Sequence, residues 1–517
     1  MIRPLSRHAL LLTLVLAAPL HAQTPGDHGD HHGHDGHDLG IVEFENSGNA
    51  AAQESFTRGI ALLHSFEYRR AAEAFAEAQA ADPRFALAYW FEAFTNTHPV
   101  WGEDDVPAAR AVLARLAPTP EQRLAHAANA RERAYGAAIE AFFAEGTEAQ
   151  RARAFADSMR SIARAYPDDE DALAFAALAP LMVEVMGRAP REERRALRDE
   201  AITNAQRVFE AHPRHPGGTH YLIHATDDPE FAERGLAAAR SYAQTAPASE
   251  HALHMPSHIF LQLGIWRDVV TSNERSWAAS AEDVRRRGLP ATAHSWHALQ
   301  WLQYGYLQEN RPDDARALIE RARNLLDGVD LSGVHSVDAR YTVGWMEFIQ
   351  AVNNDEWTDA VCARSRAFSF DGAPVNARDA SMRATAAYQA VVTAPHCGFV
   401  DNPAADAVRA HMAENPSAPY MGALRNALLH ADAVAALRRG DAEAAIAILE
   451  PMAAQPATPP VGPPSGLRTH ELLGAAYLAA NRPADAVAAY ERSLQLTPNR
   501  QASVRGLERA RAALATL

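Results

Sequence analysis

Two short segments hold histidines at a spacing suited to chemistry: His220-Tyr221-Leu222-Ile223-His224 and His254-Met255-Pro256-Ser257-His258. Histidines four residues apart share one helix face, with Cβ atoms about 5–6 Å apart. The second pair follows the first by 34 residues, position for position. Neutral imidazole is a ligand for zinc and copper. Neighbouring helices pack about 8–10 Å apart, so two such pairs can bring their nitrogens onto one ion at about 2.0–2.1 Å. Three imidazoles would leave a coordination position open; four would close the site. Asp227, Asp228 and Glu250 stand nearby as possible ligands or orienting groups, whereas His251 is expected to point elsewhere on its helix. The zinc-protease pattern is absent, because His220 is followed by Tyr221 and not by Glu. A metal-dependent hydrolase would have to borrow its base, with Glu92 as the candidate. The same imidazoles suit hydrogen bonding to a peptide or to each other equally well, so a metal-independent interaction scaffold stands beside the metal reading.

The interval that relates the pairs also predicts what positions them. Thirty-four residues is the period of the tetratricopeptide repeat (TPR), a helix–turn–helix unit that stacks into a solenoid. Residues 52–85 carry its small and aromatic marks at Gly59, Leu62, Ala71, Phe75, Ala78 and Pro83; residues 467–500 carry them at Leu473, Gly474, Tyr477, Ala486, Tyr490 and Pro498. No stretch alternates with period two for long enough to make a strand. The expectation is an all-α, TPR-type α-solenoid. A long helix is expected from Glu121 to Phe143. The solenoid's N-terminal block covers residues 41–345, with continuing helical repeats over 346–450. A Pro-rich connector without helix follows at 451–466, then a last repeat and capping helix at 467–517. The resemblance to a TPR fold implies that the first helix of each repeat lines the concave face. On this register His64, His98, His220, His224, His254, His258 and His297 all fall on that face, and Trp90 and Glu92 are placed in the groove. His126, His335 and His430 are read as ordinary surface or half-buried side chains.

Composition narrows the partners. The chain has 517 residues and a formal net charge of −15, which argues against nucleic acid and anionic membranes. Every basic residue other than histidine is arginine. Without lysine there is no Schiff-base chemistry and no phosphate loop ending in Gly-Lys. Residues 1–22 are expected to be a secretory signal: Arg3 and Arg7, an apolar run from Ala9 to Ala18, then Leu20-His21-Ala22. That run is too short to span a bilayer, so a periplasmic or secreted protein without a membrane span is expected. Residues 23–40 are a His/Asp/Gly tract (His28, His31, His32, His34, His37) with nothing to build a core and with affinity for transition metals. Cys362 and Cys397 are open to a disulfide or to two buried thiols.

The segments His215-Pro-Gly-Gly-Thr-His-Tyr-Leu-Ile-His224 and His251-Ala-Leu-His-Met-Pro-Ser-His-Ile-Phe260 resemble a bacterial TPR-protein family described only as repeat-containing. Leu63-His64-Ser65-Phe66-Glu67-Tyr68 and Asn96-Thr97-His98-Pro99 resemble its N-terminal segments. The resemblance covers about residues 50–325 and implies the solenoid fold but no activity. One departure is visible: Trp90-Phe91-Glu92-Ala93 stands where Trp-Gly-Glu-Ala is expected.

Overall fold

The computed structural model of the chain describes residues 39–455 and 462–516. The expected leader and most of the His-rich tract lie outside the described residues. What is described is all-α apart from one two-residue antiparallel ladder, Thr97–His98 against Glu103–Asp104. Helices follow one another as antiparallel pairs. Gln53–His64 packs on Tyr68–Ala81, Pro216–Thr226 on Ala232–Thr245, Trp296–Gln308 on Pro312–Leu326, and Thr469–Ala479 on Pro483–Leu496. This is the TPR-type solenoid that the period predicts. No described helix is long and apolar enough to cross a membrane.

Small residues set how closely these pairs approach. A Cβ on Gly59 would meet the Phe75 ring at 2.5 Å, so the first pair closes only because that position carries none. Several turns between paired helices pass through a left-handed residue two positions after the first helix or directly after it. Gly264, Asn310, Asp355, Gly440 and Asn481 take that place, all residue types that tolerate positive φ. The first pair is the exception: it uses Phe66, at φ 56°.

Two expectations are corrected. Glu121 to Phe143 is not one helix but two, Pro120–Leu124 and Ala130–Phe142. Asn129 restarts the chain by accepting from the Glu132 N–H at 2.9 Å, a cap that an uninterrupted helix could not use. The connector begins later than residue 451, because helix Ala442–Ala453 runs through Pro451. Proline removes one N–H donor and crowds the carbonyl four residues back, and the helix ends two residues later.

The C-terminal repeat folds back onto the main block. Trp266 Nε1 donates to the Asn499 carbonyl (2.9 Å), and Asn499 Nδ2 returns a bond to the Gly264 carbonyl (3.2 Å). Arg500, fully buried, bridges Glu471 (2.7 Å) and the Tyr304 hydroxyl (2.9 Å). The expected capping segment therefore braces the repeats around residues 264–308. Farther along, Cys362 and Cys397 are joined in a disulfide with Cα atoms 5.8 Å apart.

Candidate metal centre

Six histidines gather from three successive repeats. His220 and His224 project from helix Pro216–Thr226. His251 and His254 stand on the short helix Glu250–His254, and His258 on Pro256–Gln262. His297 opens helix Trp296–Gln308. Pro256 divides the second of these segments: it has no N–H for the preceding turn. His254 and His258 face each other across that break, Nε2 to Nε2 at 3.1 Å.

The rings sort into two sets of three, His220/His224/His251 and His254/His258/His297. Within each set, one ligand atom per ring lies within 4.8 Å of the other two. The sets are neighbours: the ring centroids of His224 and His258 are 6.1 Å apart, and those of His251 and His254 are 6.3 Å apart.

Tracking the ring protons shows what the second set can do. His258 Nδ1 donates to Asp227 Oδ2 at 2.7 Å. His254 Nδ1 donates to Asn273 Oδ1 at 2.7 Å, and the Asn273 amide nitrogen is committed to the Val269 carbonyl. Each neutral ring has thus spent its one N–H on the outer side. The two Nε2 atoms then meet lone pair to lone pair. That contact is repulsive unless a cation sits between them, and its length is close to the edge between two imidazole nitrogens that share one ion. Outer-side bonds to a carboxylate, an amide or a carbonyl are the usual support of metal-bound histidine. In the first set, His220 Nδ1 donates to the His64 carbonyl at 2.6 Å, leaving Nε2 as an acceptor 3.2 Å from His251 Nε2. His224 Nε2 is buried with no hydrogen-bond partner among the described residues.

Burial keeps His220, His224, His251, His254 and His297 neutral, as ligands must be. It pushes His220 down to about 3. His224, His251 and His254 are driven well below the usual range by burial and then by neighbouring imidazoles. His297 has an exposed edge, yet burial of its ring among the others lowers it in the same way.

Aromatic rings enclose both sets. The Phe66 centroid lies 4.4 Å from His220 and 5.4 Å from His224, and Trp301 lies 4.4 Å from His258 and 5.0 Å from His254. A cleft of about 380 Å³ opens onto His251, His254 and His297, walled by Phe66, Tyr68, Trp101 and Trp296. Glu250 lines it too, with its carboxyl pushed up to about 7 by burial and by the charge of Glu67.

The structure leaves the other expected site residues elsewhere. His64 belongs to a separate cluster: its Nε2 donates to Asp171 Oδ1 (2.8 Å) and its Nδ1 accepts from the Tyr221 hydroxyl (3.0 Å). A Cβ on Gly217 would meet that ring at 2.5 Å. His98 pairs with Glu103 (3.5 Å) and stacks on Tyr68, forming part of the cleft wall. Trp90 is no groove residue: it is fully buried, with Nε1 donating to Glu140 at 3.0 Å. Glu92 is held by Arg115 and Gln79, away from the histidines. Asp228 turns back to cap its own loop at the Glu230 N–H. His251 was expected to point away and instead joins the first set. The i, i+3 spacing of His251 and His254 was the missed signal, since it puts them on one helix face.

No protein-family model matches the chain, and no curated protein matches it. Solved structures of helical-repeat proteins do. The crystal structure of the P58(IPK) TPR domain is 13% identical, covering 90% of this chain and 99% of that one, with a TM-score of 0.20. The structure of Naa15/Naa10 bound to HypK-THB is 14% identical, covering 90% and 75%, with a TM-score of 0.23. TM-scores this low add nothing to what the helix pairs establish.

Proposed function

We propose that this chain is an extracytoplasmic TPR protein that binds two transition-metal ions, zinc or copper, side by side on His220/His224/His251 and His254/His258/His297. The observation that carries the reading is the 3.1 Å contact between His254 Nε2 and His258 Nε2, both stripped of a proton by bonds on the far side of the ring. The donor sets are all-imidazole, which suits zinc and copper and not the oxygen-seeking calcium or magnesium. The disulfide agrees with an oxidising compartment.

The rival occupant of the 3.1 Å contact is a proton shared between the two rings, with Asp227 as counter-ion. In that case the groove would serve a peptide partner, as helical-repeat folds commonly do. Elemental analysis of the full chain beside a His220→Asn/His254→Asn variant separates the readings, because the His-rich tract is present in both. About two more equivalents of zinc or copper in the wild type, with equal helical content by circular dichroism, is the expected result. Equal metal in both samples rules the reading out. His251→Asn, which removes a single ring hydrogen-bonded among the described residues only to His220, serves as the milder variant should the double one unfold.

A further inference from the structure

We infer that the two triads form a single cuprous pair whose open positions take up dioxygen. This rests on the metal reading above and extends it to the identity of the ions and their ligand.

Charge selects the metal. All six ligand rings are neutral donors. Asp227 is the one carboxylate hydrogen-bonded to any of them among the described residues. Phe66, Tyr221, Tyr242 and Trp301 pack against the rings, and Glu250 lines the cleft beside His251 and His254. The cost of burying charge rises with its square. Two divalent ions would bring four positive charges into this shell, and two monovalent copper ions only two. Coordination number points the same way: zinc seeks four ligands, whereas monovalent copper is content with three. The six rings supply three to each ion.

Adjacency selects the ligand. The nearest rings of the two triads, His224 with His258 and His251 with His254, lie 6.1 and 6.3 Å apart, centroid to centroid. The cleft reaches one ring of the first triad, His251, and two of the second, His254 and His297. A small molecule entering there meets both ions at once. Dioxygen needs two electrons to become peroxide, and each cuprous ion gives one. The step 2 Cu(I) + O2 → 2 Cu(II) + O2²⁻ balances with no further reductant. The dianion offsets the charge gained by the ions, so the buried total does not rise.

The test loads the full chain and the His220→Asn/His254→Asn variant with cuprous copper under nitrogen, removes the excess, and counts copper in each. Both are then exposed to oxygen in a sealed electrode cell, followed by electron paramagnetic resonance. The expected result is one O2 consumed per two extra coppers in the wild type, with those coppers silent in resonance because the two cupric spins couple. His297→Asn, at the rim, should cut the uptake about tenfold or more while the first triad keeps its copper. Extra copper without oxygen uptake, or a cupric signal equal to all of it, would overturn this inference and leave the metal reading standing. No extra copper in the wild type would overturn both.

Discussion

Two clusters of buried histidines lie within one helix of each other and behave oppositely. In the cluster around Asp171, every imidazole nitrogen with a described contact meets a complementary group. His64 donates to Asp171 and accepts from Tyr221. His215 accepts from the Gly218 N–H at 3.2 Å and donates to the same Asp171 oxygen at 3.3 Å. In the six-histidine basin, His220, His254 and His258 point their protons outward and their lone pairs inward. The first cluster has the three nitrogen and oxygen ligands a metal would need, yet its protons already occupy the space between them. Spacing and burial do not separate the two cases. The position of one hydrogen per ring does.

The largest test of that contrast is to remove the anchor of the closed cluster. Asp171→Ala leaves two buried N–H groups without an acceptor and should cost about 3–5 kcal/mol. Measured by urea denaturation, the loss should be the same with and without a chelator. A chelator-dependent loss would mean that this cluster, too, binds metal.

Chelation should act on the other cluster alone. With free metal at 10 times the dissociation constant of each of the two sites, binding stabilises the folded state by about 1.4 kcal/mol per ion, about 2.8 kcal/mol for the pair. The wild type and the Asp171 variant should each lose about that much on adding chelator, while His220→Asn/His254→Asn should lose nothing. A uniform shift in all three proteins would put the metal somewhere other than the basin.

Asp227→Asn sharpens the comparison within the basin. It keeps the shape but removes the charge that holds the His258 N–H outward, and Gln262 Nε2, which donates to Asp227 at 3.0 Å, loses part of its acceptor. Outer-side partners of this kind are worth about 10–100-fold in affinity. Competition with a coloured chelator should show one ion weakened by that factor and the other unchanged. Equal weakening of both would indicate a single shared site.

How far the sequence reaches depends on what each feature needs. The intervals of four and 34 locate the helices and the face they present, because periodicity is a property of the backbone. They cannot report Asp171, which lies 107 residues from His64 and meets it only through packing. Nor can they report Asn273 and Asp227, which hold the outer nitrogens of His254 and His258 from other elements. Trp90 shows the limit from the other side: its place in the repeat suits a groove, but the departure at Phe91 adds a buried ring and Glu140 takes its N–H. The seven histidines read from the repeat register therefore divide by tertiary contacts into five metal candidates, one closed-cluster member and one cleft-wall residue.

A histidine of the closed kind in the C-terminal half extends the contrast to pH. His430 accepts from the Tyr388 hydroxyl (2.6 Å) and donates to Thr469 (2.9 Å), while the Tyr388 oxygen is engaged by the Leu467 N–H. Burial, then the charge of Arg468, pushes His430 down to about 4. The unfolded chain keeps the ordinary value of about 6.5, so it binds the extra proton first. Stability should therefore fall as pH drops below about 6.5 and stop falling on this account near 4, a loss of order 1–2 kcal/mol at pH 5. His430→Gln should remove that part of the slope in metal-free protein, and an unchanged slope would show that His430 is already charged in the fold.

The smallest expected effect concerns the backbone rather than a proton. Phe66 stands in the left-handed turn position that Gly264, Asn310, Asp355, Gly440 and Asn481 fill in other repeats. For a bulky residue this conformation costs about 1–2 kcal/mol. What the fold obtains there is a ring against His220, His224 and His251 at 4.4–5.7 Å. Phe66→Asn should relieve the turn and uncover the first triad. The burial lost opposes the strain relieved, so the net change in metal-free stability should stay within about 1 kcal/mol. Metal exchange at the first triad should meanwhile speed up, since water gains access to the nitrogens. Stopped-flow transfer of metal to a chelator reads that rate directly. If Phe66→Asn stabilises the protein and leaves the exchange rate untouched, the ring is strain without a role at the basin, and the open position of the first triad is shielded by other groups.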